Sequence, residues 1–99
     1  MPYRIEYSPD AVEHLRALPA RQQRLVVDTI DEQLAHRPTV ETRKRKPMRP
    51  NRLAPWELRI GELRAYYDVE DEPERRVLVR AVGIKDRSHL VVGGEVIEL

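Results

Sequence analysis

The chain opens on a short alternation. Tyr3, Ile5 and Tyr7 take every second place, with Arg4 and Glu6 between them, the period of a strand with one buried face. The period then changes. Ser8-Pro9-Asp10 supplies an N-cap, a proline at the first helical position and an early acid, so a helix starts there. Ala11, Leu15 and Leu18 recur at helical spacing as far as Pro19, a residue that ends one helix and suits the start of the next. From Ala20 to about His36, Val26, Ile30 and Leu34 mark one helical face, flanked by Leu25 and Val27; Arg21, Asp28 and Glu32 lie opposite. Two helices joined by so short a link form an αα-hairpin, which Arg37-Pro38 closes.

Alternation returns in the second half. The stretch from Thr42 to Arg52 is broken by Pro47 and Pro50 and reads as loop with at most a short edge strand. Trp56-Glu57-Leu58-Arg59-Ile60 alternates cleanly, Gly61-Glu62 suits a type II′ turn, and Leu63 to Val69 is the returning strand. The acidic V-E-D-E-P-E segment, with Pro73, is the next turn. Between Arg76 and Ile84, Val77, Leu78, Val79, Ala81 and Val82 are nearly continuous, as in a central strand covered on both faces. The tail from Leu90 to Leu99 is a small hairpin about Gly93-Gly94 or an extended arm. The order β-α-α-β-β-β across one domain, residues 1–99, predicts an α+β fold with the helical hairpin packed on an antiparallel sheet.

Composition narrows the function. No apolar run is long enough to span a membrane, and the N-terminus does not read as a secretory signal. With no Cys and 3 His, disulfides and a thiolate metal site are excluded, a reducing, cytoplasmic setting is expected, and a metal-dependent nuclease is disfavoured; no cofactor motif is present. The net charge of +1 conceals a strong asymmetry. Arg43, Lys44, Arg45, Lys46, Arg49 and Arg52 fall together without an acid, which leaves 12 basic and 17 acidic residues elsewhere. Five of those acids, Asp68, Glu70, Asp71, Glu72 and Glu74, are close neighbours. A run of like charge is ordinarily a solvated loop; its alternative reading is a patch that faces phosphates.

The turn at Gly61-Glu62 sets a register: Ile60 opposite Leu63, Arg59 opposite Arg64, Leu58 opposite Ala65 and Glu57 opposite Tyr66. The apolar pairs face the helices; Glu57, Arg59, Arg64, Tyr66 and Asp68 share the other, open face. Directly opposed arginines repel. Either nearby Glu57 and Glu62 neutralise them, or the pair awaits an anion whose oxygens match the guanidinium fork. Continued alternation after the central strand places Lys85, Arg87 and His89 on one side, where they converge with Arg59 and Arg64 on a polyanion such as RNA. Solvated cations at a strand end are the plain alternative.

These segments resemble the RelE/ParE superfamily of bacterial type II toxins. The resemblance rests on W-E-L-R-I-G-E-L-R-A-Y-Y-D-V from Trp56 to Val69 and on V-L-V-R-A-V-G-I-K-D-R-S from Val77 to Ser88, with the opening strand and helical hairpin in matching order. It implies a RelE-like toxin that cleaves mRNA in the ribosomal A site without metal or cofactor and is silenced by a cognate antitoxin. In that chemistry the RNA 2′-OH attacks the adjacent phosphate, leaving a cyclic phosphate and a free 5′-OH. It needs a base, cations for the charge on phosphorus and an acid for the leaving oxygen. The resemblance puts Arg64 on the scissile phosphate, Arg59 on base or phosphate handling, Lys85 on charge stabilisation or leaving-group protonation, and Arg87 at the next basic position. Lys44, Arg45, Lys46, Arg49 and Arg52 become an RNA-binding loop.

The pattern also departs from the family. Glu57 stands where RelE-like enzymes carry a further lysine, and Val91 lies near the place of their C-terminal tyrosine or histidine. His89, an imidazole and so suited to proton transfer, is the candidate acid or base, with Glu57 a second candidate base. The ParE branch inhibits DNA gyrase and needs no nuclease residues, so a non-nuclease gyrase inhibitor is the alternative; a degenerate member that only binds an antitoxin is a third reading.

Overall fold

The computed structural model describes residues 2–99. The elements are β1 (Arg4–Tyr7), α1 (Pro9–Arg16), α2 (Ala20–Leu34), β2 (Arg45–Pro47), β3 (Trp56–Ile60), β4 (Leu63–Glu70), β5 (Arg76–Asp86), β6 (His89–Val92) and β7 (Glu95–Ile97). The expected α+β order holds, extended by a three-residue edge strand in the basic stretch and by the β6–β7 hairpin about Gly93 and Gly94. The Ser8 hydroxyl caps α1 by accepting from Ala11 N at 3.1 Å. On α2 the residues buried are Val26, Ile30 and Leu34, the face set by their spacing.

The strands run β2-β3-β4-β5-β6-β7, and β1 joins β5. One pairing differs from the all-antiparallel expectation: β1 lies parallel to β5, Ile5 opposite Val77. A parallel neighbour needs a long crossover between the strands, and the two helices are part of that connection. Because β4 occupies one edge of β5, β1 and β6 share the other, pairing with Arg76–Val79 and Gly83–Asp86 respectively. Helix α1 fills the gap between them. Ser8 N donates to Val79 O at 2.9 Å, Ser8 Oγ donates to Arg80 O at 3.1 Å, and Val82 N donates to His14 Nδ1 at 3.2 Å. These bonds give Val79 O, Arg80 O and Val82 N partners between the ends of β1 and β6, as burial requires.

The sheet has two unlike faces. Val26, Ile30 and Leu34 pack on Leu58, Ala65, Tyr67, Val77 and Val79. Trp56 stacks on Tyr67 with ring centroids 6.1 Å apart, and the Tyr67 hydroxyl donates to Pro38 O at 2.6 Å. On the reverse, Tyr66, Ala81, Leu90, Val92 and Ile97 form a second cluster with Ala54, Met48 and Leu53. The β6–β7 tail and the loop after β2 therefore meet over Tyr66. A bulge separates the two registers of β4 and β5: Tyr66 faces Ala81 but Tyr67 faces Val79. Arg80 is the residue left over, and it is exposed.

Candidate nucleic-acid interface

The β3–β4 hairpin has the register that its turn dictates, Arg59 opposite Arg64 and Glu57 opposite Tyr66. Gly61 takes φ +60 and Glu62 does not share the positive φ, the pattern of a type II′ turn. The face it presents is not the open one expected. Arg59 is exposed, but Glu57 is 7%, Arg64 8% and Tyr66 1% accessible. The reason is the second apolar cluster, which the β6–β7 tail closes over this part of the sheet.

Burial gives each of these groups a definite arrangement. The Tyr66 hydroxyl donates to Glu57 Oε2 at 2.9 Å, and Lys46 Nζ stands 3.8 Å from Glu57 Oε1. Burial first, then the Glu57 charge, push the Tyr66 phenol far above its ordinary range, with Arg64 pulling the other way. Tyr66 therefore remains a proton donor at neutral pH. The repulsion between Arg59 and Arg64 is relieved by folding Arg64 back. Its Nη1 donates to Gly61 O at 2.7 Å and Leu63 O at 2.9 Å. Among the described residues no carboxylate pairs with Arg64, and its Nε and Nη2 have no acceptor. Buried charges are normally paired, so this guanidinium is a cation with unused donors.

The later cations are distributed differently from a simple alternation. Strand β5 runs on to Asp86, and a tight turn at Arg87 and Ser88 reverses it so that Asp86 faces His89 and Lys85 faces Leu90. Arg87 adopts φ +58 in that turn. Lys85 and His89 still meet: with Tyr66, Ser88, Leu90, Ile97, Glu98 and Leu99 they line a cleft of about 350 Å³. Tyr66 is the member that sequence reasoning left out of the site. Its position opposite Glu57 was readable, but its role depends on burial by a distant tail.

In the basic stretch Arg45 also ties the chain together: its guanidinium donates to Val40 O at 2.9 Å and to Gln33 O at 2.6 Å. Arg43, Lys44, Arg49 and Arg52 are exposed. The acidic turn does not neutralise them. Arg4 binds Glu74 at 3.2 Å, and Arg76 binds Glu70 at 2.8 Å and Glu6 at 3.3 Å. Among the described residues no three of His, Asp and Glu gather into a group that could hold a metal ion, and no helix is long and apolar enough to cross a membrane.

No family model and no curated protein matches the sequence. A solved structure does: a chain of the toxin–antitoxin complex RelBE2 from Mycobacterium tuberculosis superposes with a TM-score of 0.71 at 28% identity, over 83% of this chain and 96% of that one. The likeness is one of fold: the helical hairpin packed on the sheet is the RelE-like arrangement of that structure.

Proposed function

We propose that the chain is the toxin of a type II toxin–antitoxin pair, acts in the cytoplasm on ribosome-bound mRNA, and is restrained by a cognate antitoxin. The observation that carries the proposal is Arg64: a guanidinium only 8% accessible, without a carboxylate partner among the described residues, next to the cleft floor at Tyr66. Such a group fits a phosphate better than solvent. The RelE-like fold and the toxin–antitoxin complex that it matches support the same reading.

In this mechanism the 2′-hydroxyl oxygen attacks the neighbouring phosphorus and the bond from phosphorus to the 5′-oxygen breaks. His89 takes the 2′-OH proton. Arg64, Arg59 and Lys85 stabilise the extra negative charge, and Lys85 returns a proton to the leaving oxygen. Glu57 is held by Tyr66 and by Lys46, so it orders the floor of the cleft instead of acting as base. Arg87 and the exposed cations of the basic stretch, Lys44, Arg49 and Arg52, add phosphate contacts without reading sequence.

A translating extract given the purified chain is expected to yield messages cut at ribosome-bound positions. Arg64→Gln should lower cleavage by about 100-fold or more while the variant still melts cooperatively, and His89→Ala should lower it as well. Intact messages with arrested gyrase supercoiling would replace this reading by a ParE-like one.

A further inference from the structure

We propose that Arg49, Arg52 and Arg80 frame a second phosphate-binding subsite that holds a backbone phosphate of single-stranded RNA at a distance from the Lys85–His89 cleft. The three line a hollow of about 380 Å³ together with residues 48–55. The lining contains no carboxylate, and among the described residues none of the three guanidinium groups has a hydrogen-bond or ion-pair partner.

The hollow is built by two separate devices. On one wall the Asn51 side chain fixes the loop: Oδ1 accepts from Leu53 N at 2.7 Å and Ala54 N at 3.1 Å, while Nδ2 donates to Arg49 O at 2.7 Å and Ala54 O at 3.0 Å. Met48 N donates to Pro55 O at 2.7 Å and closes the loop base. Arg49 and Arg52 thus rise from an ordered backbone. On the other wall the β4–β5 bulge leaves Arg80 unmatched, and a bulge re-aims a side chain from its strand. The Arg80 carbonyl accepts from Ser8 Oγ at 3.1 Å, so its backbone is held at the N-cap of helix α1. The backbones that carry the three arginines are thus held before an anion arrives, and a planar guanidinium fork loses less freedom per hydrogen bond formed than a flexible ammonium.

Continuity selects a nucleic-acid strand over an isolated anion or an acidic protein. Met48, Arg49 and Asn51 also line an adjoining groove with Lys46 and Leu99, and Leu99 lines the cleft with Lys85 and His89. One strand laid along this track passes Arg80, Arg52, Arg49 and Lys46 before it reaches Lys85. The identity of the strand as RNA rests on the proposed function; the anion subsite itself does not.

The test uses the full chain and fluorescent 2′-O-methyl RNA, which lacks the attacking hydroxyl and cannot be cut. Binding of an oligonucleotide of about 12 residues and of a dinucleotide is followed by anisotropy at several salt concentrations. Arg80→Ala should weaken the long probe about tenfold and reduce the magnitude of its salt slope by roughly 0.7, one phosphate's worth for a single strand. The dinucleotide should be unaffected, and Arg80→Lys should restore the slope. Unchanged affinity and slope in Arg80→Ala would overturn the subsite. So would Arg80-dependent binding of an oligoglutamate with RNA indifferent, which would assign the hollow to an acidic protein. Arg80-dependent RNA binding without message cleavage in the translating extract would retain the subsite and discard the nuclease reading.

Discussion

The two faces of the sheet are built from the same strands yet solve opposite problems. The helix-covered face is dry: Val26, Ile30, Leu34, Leu58, Ala65, Tyr67, Val77 and Val79 are all at 0% exposure. The reverse face buries Glu57, Arg64 and Tyr66 under a thinner cover of Leu90, Val92 and Ile97. Burying polar and charged groups costs free energy even when they are bonded, so the second arrangement is a poor way to stabilise a small domain. What it provides is a fixed donor set, with Tyr66 oriented by Glu57 and Arg64 by the turn carbonyls. The difference separates the part of the chain that holds the fold from the part available for chemistry.

The sharpest way to break that division is to damage the dry face. Ile30→Ala removes a fully buried side chain from the helix–sheet contact and should cost about 2–5 kcal/mol of unfolding free energy, read by denaturant titration. RNA affinity per folded molecule should not change. If affinity falls as steeply as stability, the faces are not independent. A smaller structural loss with a larger functional one is expected on the reverse face. Tyr66→Phe deprives Glu57 of its donor and should cost about 1–3 kcal/mol, while cleavage falls by more than stability alone explains. A variant that keeps full cleavage would remove Tyr66 from the floor of the site.

The same division marks what the sequence made legible. The 3.6 period at Val26, Ile30 and Leu34 and the alternation through Trp56–Ile60 are local signals, and Gly61-Glu62 fixed the register of every β3–β4 pair. The covering of the reverse face is not local. It depends on Ile97 and Met48, distant in sequence, packing over Tyr66, and periodicity carries no information about which distant segment supplies a cover. The opposed arginines were visible, but their resolution, with Arg59 exposed and Arg64 folded onto Gly61 O, was not. Simple alternation failed after β5 because Arg87 takes a left-handed conformation and turns the chain. Arg80 lies within the apolar run between Arg76 and Ile84, and a one-residue slip between β4 and β5 leaves no mark in composition that would single it out.

Tyr7 supplies the finest test, because it is a polar group on the dry side. Its hydroxyl is buried and has no hydrogen-bond partner among the described residues, beside the helix-covered core. Burial, aided by the charge of Asp31, pushes its phenol from 10.0 up to about 12. On the reverse face an analogous hydroxyl, that of Tyr66, is bonded to Glu57; here nothing uses it. Tyr7→Phe should therefore raise stability by about 1 kcal/mol at neutral pH, since an unsatisfied buried group is removed without loss of a bond. The pH dependence has a definite sign. The folded state holds the Tyr7 proton above the pH at which the unfolded chain releases it, so the associated stability is complete below pH 10 and is lost as pH rises towards 12. Melting temperatures measured across that interval should fall less steeply in Tyr7→Phe than in the parent chain. A destabilised Tyr7→Phe would mean that the hydroxyl is bonded after all, and that the helix-covered face is less dry than the contrast between the two faces requires.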